Sequence, residues 1–240
     1  MTDIRLTPEC RATLKRVSVA TLTTCLFRRG FRNQLIQGVQ AINPKGSRMV
    51  GEAFTLRTIP AREDLTTIAV LADRGYPQRA AIEACPPGHV LVIDSRQDAR
   101  AASGGDILMT RLMVRGVAGC VTDGGMRDCP DIAKLDFPVY QIRPAPPISL
   151  IHHHAIDMNV PIACGGAPVF PGDVVVGDAE GVVVLPATLA DAIAAEALEM
   201  TRYEAFAAEQ VKQGRALFGL YPATDESKAE FEIWRRTRER

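Results

Sequence analysis

Apolar and polar positions run along this chain in blocks whose period switches from helical to extended and back. Between residues 7 and 29 the apolar positions include Leu14, Val17, Val19, Leu22 and Leu26. Thr7 stands where an N-cap belongs, Pro8 suits a first turn and Gly30 stops the run, so the pattern predicts one helix over 7–29. A Pro-Gly loop at 43–47 leads into 49–58, whose loose alternation predicts a strand, and 63–74 has a helical pattern. From residue 89 the signals sharpen. Residues 89–93 and 118–122 are short unbroken apolar runs of the kind buried on both faces of a parallel sheet. Each is followed by a glycine-rich turn, Ser103-Gly104-Gly105-Asp106 and Asp123-Gly124-Gly125. A helix is predicted over 107–115, ended by Gly116, with Ile107, Leu108, Leu112 and Met113 facing inward. A helical turn is expected at 132–135 and a strand at 138–142. The alternation of strand, turn, helix and strand predicts an α/β core with parallel pairing.

The second half changes character. Two valine runs, Val174–Val176 and Val182–Val184, are punctuated by Pro171-Gly172-Asp173 and Asp178-Ala179-Glu180-Gly181, which predicts a hairpin. Residues 191–214 form one long amphipathic pattern, and the segment beyond Leu217 is charged with a single Trp234. No linker or internal repeat stands out, so the expected organisation is one domain over 1–214 with a C-terminal extension over 215–240.

Composition narrows the function classes. Of 240 residues, 47% are hydrophobic and 23% charged, enough apolar content for a sizeable core without disulfide staples. Basic and acidic residues balance at 28 each, which favours neither nucleic acid nor an anionic membrane as a partner. No pair of the six cysteines has C-x-x-C spacing, and Cys120 sits in an apolar run, so they read as reduced, mostly buried thiols of a cytoplasmic protein. Asp3, Arg5 and Glu9 precede any apolar run, unlike a signal peptide, and no stretch approaches the roughly 20 apolar residues of a membrane span.

The candidate chemistry lies in the two glycine-rich turns. Ligands of α/β folds bind outside the carboxyl ends of the strands. The helix opening after Gly104-Gly105-Asp106 offers free amides to an anion, so the amides from Gly105 through Asp106 and Ile107 to Leu108 could hold a carboxylate. Arg127 and Asp128 add a fixed cation and a hard oxygen ligand, better suited to magnesium or manganese than to zinc. Taken singly, Asp106 reads as a helix N-cap, Arg127-Asp128 as a surface ion pair and Asp123 as a turn former. His152, His153 and His154 are adjacent, diverge, and read as a solvated loop. Glu83 and Asp94 carry no signal beyond their local structure.

Asp106, twenty intervening residues and then Arg127-Asp128 resembles the D-x20-R-D signature of the 4-hydroxy-4-methyl-2-oxoglutarate / 4-carboxy-4-hydroxy-2-oxoadipate aldolases. Arg115–Gly124 is similar to their strand and turn, and Pro171–Pro186 to their hairpin, within a resemblance covering roughly residues 15–215. The same RraA-like fold serves the ribonuclease E activity regulator, which lacks the metal-binding aspartate that this chain keeps. The resemblance implies a three-layer α/β/β sandwich assembled as homotrimers or homohexamers with sites between subunits. It implies that Asp128 anchors Mg2+ or Mn2+, that the amides at 105–108 hold the substrate carboxylate, and that Arg127 stabilises a pyruvate enolate. Asp106 would move the proton. A glutamate from a neighbouring subunit, Glu199, Glu204 or Glu209, would complete the site. The implied activity is a lyase reaction, retro-aldol cleavage of a 4-hydroxy-2-oxo acid to pyruvate, with oxaloacetate decarboxylation alongside. A regulator-like binding protein and a lyase or hydratase acting on 2-oxo-3-deoxy sugar acids remain alternatives.

Overall fold

The computed structural model describes residues 6–238; Asp3, Arg5 and the last two residues of the extension lie outside them. Among the described residues, fourteen strands and seven α-helices succeed one another. In chain order the strands are β1 (Leu35–Ile36), β2 (Gln40–Ala41), β3 (Met49–Pro60), β4 (Val90–Asp94), β5 (Ala102–Gly104), β6 (Gly119–Thr122) and β7 (Gly125–Met126). Then come β8 (Val139–Gln141), β9 (Arg143–Pro144), β10 (His153–Met158), β11 (Ile162–Cys164), β12 (Ala167–Val169), β13 (Val174–Asp178) and β14 (Gly181–Leu185). The helices are α1 (Pro8–Leu14), α2 (Val19–Arg28), α3 (Pro77–Ala84), α4 (Asp106–Val114), α5 (Cys129–Ile132), α6 (Ala190–Lys212) and α7 (Asp225–Arg238).

The main sheet runs β1-β14-β13-β3-β4-β6-β8-β2, with β10 also paired to β3. Its centre, β3-β4-β6-β8, is parallel, as the buried apolar runs predict. The twelve-residue β3 joins two layers: its first residues pair with β13, and from Ala53 onward it pairs with β4. Side-chain alternation then builds three cores. Leu91 and Ile93 face α3, α4 and α5. Val90 and Val92 face the opposite way, onto a β layer containing Cys164, Val169, Val175 and Val184. Val174, Val176, Val183 and Leu185 point out of that layer onto α1, α2 and α6. The order helix, parallel sheet and second β layer is the α/β/β sandwich that the resemblance implies. After α6 the chain doubles back, and α7 packs on α6 through Tyr203, Phe206, Phe231 and Trp234. No helix among the described residues is long and apolar enough to cross a membrane.

Five local expectations are corrected. Ile107, expected to face inward, is 74% exposed, and Met109 is buried in its stead. The helix over 7–29 is two helices, because Ser18 caps a new one, its hydroxyl accepting from Thr21 N–H at 3.0 Å. Residues 63–74 are mostly turn, with one short 3-10 helix at Ile68–Ala72 whose Ile68 is 70% exposed. Only Val70 and Leu71 pack partly against the core, too little apolar contact to stabilise a longer helix; the helix comes later, as α3, started by Pro77. The helical turn near 132–135 falls earlier, at α5, where Pro130 opens it. His152–His154 is not a solvated loop. His153 is buried in β10, its Nε2 bonded to Ala101 O at 3.3 Å, and burial pushes its pKa down. The ring of His154 meets Thr66 Oγ1 at 3.1 Å.

Candidate active site

The two glycine-rich turns are strands of a second, smaller sheet. β5, β7 and β9 are two or three residues long and pair in parallel beyond the carboxyl ends of β4, β6 and β8. Gly104 stands opposite Met126, and Arg127 N–H donates to Gly104 C=O at 3.1 Å. The chain therefore leaves β5 and β7 side by side, and the segments at their carboxyl ends, Gly105-Asp106 and Arg127-Asp128, meet.

Gly105 is the N-cap of α4 and supplies no side-chain cap; the first intrahelical bond is Met109 N–H to Gly105 C=O at 3.1 Å. The amides of Asp106, Ile107 and Leu108 therefore have no intrahelical acceptor and point off the helix end, where the helix dipole favours an anion. Asp128 occupies the left-handed region with φ 57°, which aspartate tolerates better than most residues. That turn brings its Oδ2 within 3.1 Å of Arg127 Nε and over Gly105. A Cβ at Gly105 would lie 2.6 Å from Asp128 Oδ2 and 3.1 Å from the Arg127 side chain, so a larger residue there would displace this pair.

A buried polar network holds the small sheet in place. Asp123 accepts from the N–H groups of Ser95 at 2.6 Å, Gln97 at 3.1 Å and Gly165 at 3.0 Å, tying β6 to two loops. Burial pushes its carboxyl above the ordinary range while these donors pull it back. Ser95, Ser103 and Thr122 share hydroxyl contacts of 2.7–3.0 Å. Gln141 accepts from Met126 N–H at 2.6 Å, and Gln78 donates to Ser103 C=O at 2.8 Å. Asp123 is thus a turn-shaping residue, as its position suggests.

A cavity of about 170 Å³ opens at this junction. All the residues singled out from the sequence, Gly105, Asp106, Ile107, Leu108, Arg127 and Asp128, line it, together with Gln78, Arg79 and Ser149, which carried no sequence signal. The side chains of Arg127 and Asp128 are 44% and 37% exposed, and Asp106 lines the cavity beside them. Two hard carboxylates in one cavity fit a cation that keeps several of its waters, such as magnesium. They do not make a closed zinc site, and no three His, Cys, Asp or Glu side chains converge among the described residues. Glu199, Glu204 and Glu209 do not line the cavity. They bond along the α6–α7 hairpin, Glu199 to Arg202 and Arg235, Glu204 to Tyr221, and Glu209 to Trp234 and Arg238. Five cysteines are buried and Cys129 is half-buried, all unpaired.

Comparison with known proteins agrees with this architecture. The RraA-like family, described as Aldolase/RraA, matches residues 19–184, and the chain belongs to that family. A protein of Halalkalibacterium halodurans, assigned by name only provisionally as a 4-hydroxy-4-methyl-2-oxoglutarate aldolase, is 37% identical over 127 residues, 53% of this chain and 58% of that protein. The match spans little more than half the length of that relative. The crystal structure of Streptomyces coelicolor RraAS2, titled an unusual member of the RNase ES inhibitor RraA protein family, has a TM-score of 0.74 and 33% identity. That alignment covers 84% of this chain and 96% of the other. An uncharacterised Pseudomonas syringae protein shares the fold with a TM-score of 0.76 at 22% identity, over 90% of this chain and 98% of its own.

Proposed function

We propose that the chain is a divalent-cation-dependent aldolase that cleaves 4-hydroxy-2-oxo acids to pyruvate and a carbonyl product. The observation that carries this reading is the Gly104–Met126 register, which gathers Asp106, Arg127 and Asp128 around one cavity at the open end of α4. The amides of residues 106–108 receive the C1 carboxylate. Arg127 donates to the C2 oxygen, where negative charge develops as the C3–C4 bond breaks and its electron pair passes into the enolate. Asp106, directly or through a water, accepts the proton of the 4-hydroxyl as the C4 carbonyl forms, then returns a proton to C3 to give the methyl group of pyruvate. Asp128 would hold Mg2+ or Mn2+, whose charge, when bound, adds electrophilic stabilisation at the same oxygen. Decarboxylation of oxaloacetate proceeds through the same enolate and belongs to the same reading.

Exposed apolar side chains at Ile107, Val114, Ile68 and Phe218 support assembly into a homotrimer or homohexamer, which light scattering at micromolar concentration tests. The likeness to RraAS2 favours a second reading, a ribonuclease-binding regulator. A pyruvate-release assay decides between them. Over a panel of 4-hydroxy-2-oxo acids, 2-oxo-3-deoxy sugar acids and oxaloacetate, turnover should vanish with chelator and return with magnesium or manganese. Full activity in excess chelator excludes the cation's role, and no release from any substrate favours the regulator.

A further inference from the structure

The cavity contains a second cation that the reaction above leaves unused. Arg79, in the first turn of α3, lines the cavity together with Asp106, Arg127 and Asp128. Its Nε is buried and has no hydrogen-bond partner among the described residues. Outside the catalytic pair Asp106 and Asp128, the acids near it, Glu83 and Asp73, are engaged elsewhere. Glu83, the one carboxylate of α3, is bonded by Arg111 at 3.0 and 2.8 Å and approached by Arg115 at 3.7 Å. Asp73 accepts from Gly75 N–H at 2.8 Å. The neighbouring Gln78, bonded to Ser103 C=O at 2.8 Å, holds this turn of α3 against β5. A buried guanidinium N–H without an acceptor is costly, and the loss is recovered when a ligand brings one.

Arg79 also lines a larger depression of about 670 Å³, which shares Leu71, Ile107 and Leu108 with the cavity. It thus stands where the site opens into a neighbouring groove. A substrate with C1 on the α4 amides and C2 beside Arg127 still has its C4 substituents to place, and the groove is open to receive them. The planar guanidinium matches a carboxylate through two parallel hydrogen bonds. Resting on the aldolase reading, we infer that Arg79 is a specificity-determining residue that receives the carboxylate on C4 of the substrate.

The test compares kcat/KM for 4-hydroxy-4-methyl-2-oxoglutarate and for uncharged 4-hydroxy-2-oxopentanoate in wild type, Arg79→Gln and Arg79→Lys. Wild type should prefer the carboxylated substrate. The ratio should fall in Arg79→Gln by about ten- to a hundredfold, the size of one lost hydrogen bond to a charged group. The change should appear mainly in KM, and Arg79→Lys should recover part of it. A wild type that does not discriminate overturns the inference, as does an Arg79→Gln variant that loses both substrates equally. Should Arg79→Gln fail to fold, the Arg79→Lys ratio decides: an unchanged ratio overturns the inference and a reduced one supports it. Exchange of pyruvate methyl protons with heavy water needs no C4 group and separates the two readings. Exchange with an undiminished ratio in the variants removes Arg79 alone, whereas a wild type without exchange removes the aldolase reading and this inference with it.

Discussion

The β13–β14 hairpin and the β5–β7–β9 sheet are built on opposite physical terms. Every valine of the hairpin is buried, odd and even positions feeding two different apolar cores. Such packing is strong and non-directional, and it tolerates swaps that keep volume. The small sheet has strands of two or three residues; β5 and β7 are buried but Met126 is their one large apolar side chain, and β9 is exposed. Its position is set by directional bonds from Asp123, Gln141, Gln78 and the hydroxyls of Ser95, Ser103 and Thr122. The site residues then emerge half-exposed at its edge. The hairpin supplies stability, and the small sheet supplies position.

The division of labour can be broken in several places. Asp128→Asn keeps a residue that tolerates the left-handed turn but removes the charge that would anchor the cation. Turnover should fall to background, while the stability read from denaturant unfolding shifts by no more than about 0.5 kcal/mol, as for most exposed positions. Arg127→Ala should lower kcat on the order of a hundredfold to a thousandfold, as for one oxyanion donor, with Arg127→Lys recovering only part. Next comes a matched pair. Leu185→Ala, at a fully buried hairpin position, should cost about 2–5 kcal/mol of stability and leave kcat of the folded fraction intact. Asp123→Ala strands three backbone donors and should cost roughly 3–5 kcal/mol. It should also depress kcat, because the network holding β7 is lost. Equal kcat in the pair would break the comparison.

The smallest effect is a pH dependence. Burial lowers the pKa of His153 below its ordinary value near 6.5. The stability of the folded neutral ring is fully present above about pH 6.5 and is lost as pH falls through the lower folded value, because the unfolded chain binds the proton first. The slope is at most about 1.4 kcal/mol per pH unit within that window. Denaturant titrations at pH 7.5 and 5 should show wild type losing more stability than His153→Gln.

Much of this was readable from residue order where burial is apolar and continuous. β4, β6, β13 and β14 announce themselves as unbroken runs, and α6 over Ala190–Lys212 lies close to its expected 191–214. That Asp106 and Arg127-Asp128 would meet was readable from their spacing across α4 and β6. The three small strands were not, because Ala102–Gly104 and Gly125–Met126 are too short for any period and glycine reads as turn. The polar β10 hid His153, whose burial depends on β3 and on Arg96 at 3.2 Å from its ring, both remote in sequence. Arg79 looks like an ordinary helix surface residue until α3 is set beside the open end of α4.

The most direct test is a proton NMR record of pyruvate in heavy water with the protein and magnesium. It needs no second substrate and asks only whether the site forms the enolate. The account predicts that the methyl protons exchange, that chelator stops the exchange, and that Arg127→Ala slows it by at least about a hundredfold. No exchange by wild type with magnesium present, or Arg127→Ala exchanging as fast as wild type, would contradict it.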